Sequence, residues 1–205
     1  VENDERTNAG TQNVVVKLKN KANYVWTNGN ANDLSLEWTI AKKDVKVVAK
    51  NQTITYGEDI NKGIENVELK NAVEGHVLTS IFLLDKSCDV GENVIQIRNA
   101  TIKNGDIDVT SNYNIKYVNG ILIVRAKEIA IPSISGTYTY NGEKQTVELN
   151  NFDKNLMEVE NDERTNAGTQ NVVVKLKDKD NYVWTNGNSN DLSLPWTIEQ
   201  AKSEL

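Results

Sequence analysis

Two short aromatic segments, Tyr24-Val25-Trp26 and Tyr182-Val183-Trp184, are the residues of this chain most suited to gripping a ligand. Flat indole and phenol rings stack on sugar faces, and on a strand the tyrosine and tryptophan point to one side while the valine points to the other. If the valine is buried, Tyr24 with Trp26 and Tyr182 with Trp184 form exposed platforms for a glycan or host-surface ligand. If the aromatics face inward, the tyrosine takes a corner role in which its phenol bonds to backbone. The other two tryptophans, Trp38 and Trp196, share a strand face with Leu34, Leu36 and Ile40 and with their copies, which predicts core packing. The loops Thr27-Asn28-Gly29-Asn30-Ala31-Asn32-Asp33 and Thr185-Asn186-Gly187-Asn188-Ser189-Asn190-Asp191 are rich in oxygen, as calcium requires. They lack the acidic spacing and closing glutamate of an EF-hand loop, and Asn, Asp and Gly are ordinary turn formers, so no metal site is assigned.

The remaining reactive residues do not assemble into a catalyst. His76 and Cys88 are the single histidine and the single cysteine, so no second imidazole or thiol exists for a metal cluster, and nothing in the sequence orients them as a nucleophile pair. No motif sets two carboxylates together as a glycosidase would need, and no glycine-rich phosphate loop is present. The expectation is a protein without catalytic residues or cofactor.

What must position these residues is a repeat. The stretch from Val1 to Ile40 recurs as Val159 to Ile198, differing only at Asn20/Asp178, Ala22/Asp180, Ala31/Ser189 and Glu37/Pro195. The segment Lys127 to Glu158 precedes the second copy and has no counterpart before the first. The sequence therefore reads as a window on a tandem array that opens in mid-repeat, with the intact protein extending upstream. Near-identical repeats at a long period build spacers, stalks and multivalent binders.

The elements read as strands throughout. Asp33 to Ile40 alternates polar and apolar, and Val14, Val16 and Leu18 share one side of their segment, as do Val172, Val174 and Leu176. Asn-Gly turns fall at 28–29, 104–105, 119–120, 141–142 and 186–187. Apolar residues nowhere recur at the spacing of a helix. Pro195 cannot donate to a sheet ladder, which predicts that its strand is open on one side there. The middle segment parallels the repeats: Val90-Gly91-Glu92-Asn93-Val94-Ile95-Gln96-Ile97 matches Ala167-Gly168-Thr169-Gln170-Asn171-Val172-Val173-Val174, and Asn112-Tyr113-Asn114-Ile115 matches Asn181-Tyr182-Val183-Trp184. The chain thus divides into a C-terminal half-unit at 1–40, a diverged full unit at 41–125 and a full unit at 126–199, with 200–205 beginning the next linker. The junctions near 40–43 and 124–127 contain no flexible Gly/Ser run, which predicts stiff connections.

Composition narrows the function classes. At 205 residues with 38% hydrophobic and 25% charged residues, the chain is globular, and each unit is small enough to have a modest core. A net charge of -6 with mixed signs offers no basic stripe for nucleic acid or an anionic membrane surface. One cysteine excludes an internal disulfide framework. No apolar run approaches the roughly 20 residues of a membrane helix.

The middle unit, with Lys50-Asn51-Gln52-Thr53-Ile54-Thr55-Tyr56-Gly57-Glu58 and the closing Asn112 to Ile123, resembles the MBG (YGX-type) repeat of bacterial surface proteins. The outer unit, with Tyr138-Thr139-Tyr140-Asn141-Gly142, Asn181 to Trp184 and Leu194 to Ile198, resembles the bacterial Ig-like repeat that often alternates with it. The resemblance implies an all-β fold of tandem Ig-like β-sandwich modules in an exported, secreted or cell-surface bacterial protein, with adhesive or enzymatic parts elsewhere.

The half-unit should show its apolar side, Val14, Val16, Leu18, Leu34, Leu36, Trp38 and Ile40, with no N-terminal half to cover it. Exchange with the nearly identical 159–198 of another chain would provide cover and join molecules head to tail through residues 1–40. Light scattering should then show concentration-dependent association for the 205-residue chain and a monomer for a chain starting at Ala41; a strictly monomeric full chain would refute the exchange.

Overall fold

The structure, a computed structural model, describes residues 1–85 and 89–203, and Cys88 lies outside them. The described residues form strands and two short 3-10 turns, Ile64–Asn66 and Thr110–Asn112, with no α-helix. The protein is all-β with several sheets, as the two-residue alternation predicts.

In the last repeat the strands Gly168–Leu176 and Leu192–Glu199 pair antiparallel, from Gly168 opposite Ile198 to Val174 opposite Leu192. Met157–Glu160 flanks the first strand and Tyr138–Thr139 runs parallel to the second, giving a four-stranded sheet. The register sends Val172, Val174, Leu176, Trp196 and Ile198 to one side, where all are buried. Val147, Ile134 and Leu149 cover one end of that face, and Ile129, Met157 and Trp184 cover the other. Tyr138 meets Trp196 edge-on at 5.3 Å between ring centroids. The Trp196 indole N–H has no partner, so this residue holds the core by packing alone. Pro195 stands opposite Asn171, while the parallel strand on its other side reaches only Ile198 and Glu199. That side is open at Pro195, where the missing N–H costs no ladder bond.

The middle repeat follows the same strand plan despite its diverged sequence. Its opening strand Lys43–Ala49 runs parallel to Tyr113–Val118, with Lys43 opposite Tyr113; in the last repeat Lys127–Ile129 runs parallel to Tyr182–Trp184, with Lys127 opposite Tyr182. The sheet order Gln52–Thr55, Gly120–Arg125, Gly91–Asn104, His76–Asp85 matches Tyr138–Thr139, Leu192–Glu199, Gly168–Leu176, Met157–Glu160. Val45, Ile102, Val109 and Tyr113 form a buried cluster.

The first repeat has the hairpin Gly10–Val16 with Leu34–Ile40 in the register of its copy, and Glu2 bridges Val15 as Glu160 pairs with Val173. Val14 and Val16 are half-buried where Val172 and Val174 are fully buried, and Leu36 is 53% exposed. The exposed pair Glu2–Lys17 at 2.7 Å recurs as Glu160–Lys175 at 2.6 Å, and in both the lysine pKa is raised, foremost by the hydrogen bond to its glutamate. Such surface pairs add little stability, so packing must hold the hairpin.

By internal contacts the chain groups into two compact units. One comprises Val1–Gln52, Ile60–Lys86 and Val94–Leu122; the other comprises Thr53–Asp59, Ser87–Asn93 and Ile123–Leu205. These bounds differ from the repeat bounds read from sequence: residues 1–40 group with most of the middle repeat, while Thr53–Asp59, 89–93 and 123–125 of the middle repeat group with the last.

Replacing Trp196 with alanine should destabilise the last repeat by about 3–5 kcal/mol, whereas Trp38→Ala, at the half-covered copy, should cost less than half as much. Denaturant melts of the two variant chains measure both; equal losses would mean that cover does not set the contribution of this tryptophan.

Candidate functional site: the aromatic corners and the repeat ends

The strand Tyr182–Trp184 turns both aromatics inward, which corrects the exposed-platform reading for this copy. Trp184 is 0% exposed and sits among Ile129, Met157, Val174 and Leu176. Tyr182 packs partly against the same cluster and meets Tyr56 edge-on at 5.3 Å. The reason is the parallel pairing with Lys127–Ile129, which makes this a two-sided element whose Trp184 face closes the core. Among the described residues no strand pairs with the first copy, where Tyr24 is 66% exposed and Trp26 half-buried. Tyr24 and Trp26 therefore differ from Tyr182 and Trp184 in cover, not in chemistry.

The adjoining loops are closed on themselves. In 185–191, Trp184 donates its backbone N–H to Asn188 O at 2.7 Å and its indole N–H to Asn190 O at 2.7 Å. Asn186 Oδ1 and Asn188 Oδ1 accept the amides of Asn188 and Asn190. The copy at 27–33 repeats every bond, with Trp26 Nε1 donating to Asn32 O at 2.6 Å. Asp191 and Asp33 pair with Lys179 and Lys21 at 2.7 and 2.6 Å. These oxygens build the turn, and among the described residues no three His, Cys, Asp or Glu cluster as metal ligands. His76 bonds through Nδ1 to the Tyr113 hydroxyl and stacks edge-on with that ring. Tyr113 also accepts the Val73 N–H, at 3.2 Å, so His76 belongs to a tyrosine anchor.

A feature that sequence reading passed over lies at the asparagine preceding each of these tyrosines. Asn112 Oδ1 accepts the backbone N–H of Ala9 at 2.8 Å, and Asn181 Oδ1 accepts the backbone N–H of Val90 at 2.9 Å. Each bond joins the asparagine of one repeat to the residue before a glycine in the preceding repeat. The first lies wholly within the first compact unit and the second within the second. Gly10 and Gly91 have φ of +136° and +124°, a region closed to side chains with a Cβ, and this turns the preceding residue outward. Asn112 also donates its amide to Asn8 Oδ1 at 2.9 Å. Asn181, the buried polar residue of the described core, donates instead to Asp178 Oδ2 at 2.9 Å. The sequence signals were in view, since Asn112-Tyr113 parallels Asn181-Tyr182 and Val90-Gly91 parallels Ala167-Gly168. What no single sequence shows is that one motif docks on the other.

Compared with known proteins, the chain matches no family model, no curated protein and no solved structure.

Replacing Trp184 with phenylalanine removes the indole bond to Asn190 O and shrinks a filled core position. A loss of about 1–3 kcal/mol is expected in a urea melt, together with faster amide exchange in 185–191. Unchanged stability and exchange would mean that the bond does not fasten the loop.

Proposed function

We propose that the chain is a set of non-catalytic spacer modules, tandem Ig-like β-sandwich repeats of a bacterial secreted or cell-surface protein that hold adhesive or enzymatic parts carried elsewhere. The observation that carries this reading is the recurrence of one junction. The same main-chain amide-to-asparagine bond forms at Ala9–Asn112 and at Val90–Asn181, across connections without glycine or serine. A linker of that kind limits bending, and a built contact beside it limits twisting. A repeated strand plan under diverged sequence fits an array selected for geometry more than for a particular surface. The resemblance to MBG and Ig-like repeats points the same way and supplies the bacterial surface setting.

The alternative is a glycan- or mucin-binding adhesin module that uses repeated aromatic or loop surfaces. The inward turn of Tyr182 and Trp184 withdraws one of the two aromatic pairs.

The spacer reading is tested by 15N relaxation on the whole chain. If the repeats are held stiffly, amides of the middle and last repeats share one rotational correlation time and one diffusion tensor. The Asn181→Ala variant should split these into two faster-tumbling sets while leaving the strands of each repeat folded. Independent tumbling in the unaltered chain would overturn the reading.

A further inference from the structure

We propose that the middle repeat carries a binding site for an acidic saccharide, one bearing carboxylate or sulfate groups, on the solvent face of the sheet formed by Val67–Lys70, Lys43–Ala49 and Tyr113–Val118. The inference goes beyond the spacer reading and holds whether or not that reading does.

A row of like charges stands where the fold requires none. Lys46, on the central strand, is opposite Lys70 on one neighbour and Lys116 on the other, and all three are exposed. Residues directly opposite in a sheet share a face at about 5 Å, and like charges in that arrangement destabilise the pairing. Lysine on an edge strand guards against unwanted pairing, but Lys46 has a strand on both sides and guards no edge. Lys70 pairs with Glu68 at 2.9 Å, and that hydrogen bond is the first cause of a lowered Glu68 pKa. The Nζ atoms of Lys46 and Lys116 have no ion-pair or hydrogen-bond partner among the described residues. The last repeat shows that the strand plan does not demand the row. Continuing its register of Lys127 opposite Tyr182 to the places of Lys46 and Lys116 reaches Ala130 and Thr185.

Beside the row lies a cleft of about 370 Å³, lined by Lys46, Lys116, Asp44, Asn114 and Asn71, with Val45 and Ile115 between them. That volume is at the small end of ligand sites. Every one of these residues belongs to the first compact unit. Asn114 Nδ2 donates to Asp44 Oδ1 at 3.0 Å, so Asp44 is held by its cross-strand neighbour and forms no ion pair with Lys46 on the same face. Asn71, at φ +65°, ends the strand beside Lys70 and brings a second amide to the rim. The two ammonium groups suit a carboxylate or sulfate, while the amides and the second oxygen of Asp44 suit hydroxyls. No aromatic ring lines the cleft, so a nucleic-acid base finds nothing to stack on, and Asp44 repels a ligand charged at every unit. A sugar that mixes hydroxyls with spaced negative groups meets both conditions. The net charge of -6 conceals the row, because folding assembles it from positions 46, 70 and 116.

Titration of the whole 15N-labelled chain with trigalacturonate and with a 4-sulfated chondroitin tetrasaccharide tests this. Amides at 44–46, 70–71 and 114–116 should shift saturably with at least one of the two, with a Kd of about 1 mM or tighter, and less so as salt is raised. Which of the two binds more tightly tells whether carboxylate or sulfate is preferred. Neutral maltotriose and sodium sulfate at the same concentrations should leave those amides in place. Lys46→Gln and Lys116→Gln should each weaken binding about fivefold or more, while Lys144→Gln in the last repeat should not. Since neither lysine is paired within the molecule, both variants should keep the wild-type spectrum away from the site. No saturable shift with either acidic sugar overturns the proposal. So does equal binding of sodium sulfate or of a thymidine oligonucleotide, or undiminished binding by a chain carrying both Lys46→Gln and Lys116→Gln.

Discussion

A β-hairpin with one apolar face is not stable in water by itself, and the rest of this molecule follows from how that face is covered. The hairpin Gly168–Leu176 with Leu192–Glu199 lays Val172, Val174, Trp196 and Ile198 side by side, and the segment before it, with Ile129, Val147 and Met157, closes over them. The same hairpin at Gly10–Val16 and Leu34–Ile40 shows the pairing without the closure. Its register is unchanged, since cross-strand bonds and the two-residue period set it; its burial is not. The contrast separates two contributions usually seen together, the ladder that shapes a strand pair and the cover that stabilises it.

Trp184 illustrates why cover also decides function. On the strand Tyr182–Trp184 the aromatic pair could face solvent or core, and alternation alone is silent on which. The parallel neighbour Lys127–Ile129 settles it, because it fixes the strand over the hydrophobic face and leaves Val183 on the other side. The identical residues Tyr24 and Trp26 lack that neighbour, and Tyr24 is largely exposed. For Tyr182 and Trp184 the aromatic pair is thus part of the core cover.

Much of the architecture was legible in the residues. Period-two alternation marked the hairpin strands, the Asn-Gly pairs at 28–29, 104–105 and 186–187 marked turns, and the shared face of Trp196, Leu194 and Ile198 marked the core, whereas Asn119-Gly120 forms no hairpin turn and Gly120 opens the strand Gly120–Arg125 directly. Pro195 marked a strand side without a partner, and the open side is there. The match of Val90-Gly91 to Ala167-Gly168 pointed to one strand plan in the middle and last repeats, which the sheet orders share. Two things were not legible. The inward turn of Tyr182 depends on a parallel strand more than fifty residues earlier, outside any local pattern. The asparagine bonds to Ala9 and Val90 join positions 103 and 91 residues apart, so neither side carries a local sign of the other.

The asparagine junction is an economical way to order an array. A main-chain N–H is offered wherever a glycine at positive φ turns the preceding residue outward, so the donor side depends on backbone shape and tolerates side-chain change. Ala9 and Val90 differ without consequence for the donor, while Gly10 and Gly91 have φ of +136° and +124°. The acceptor side, by contrast, needs a short side chain with a fixed acceptor, and Asn112 and Asn181 both supply it. Sequence can drift across the faces of each repeat while one glycine and one asparagine hold the joint. The middle repeat has drifted in this way: it shares few residues with its neighbours yet supplies the donor at Val90 and the acceptor at Asn112.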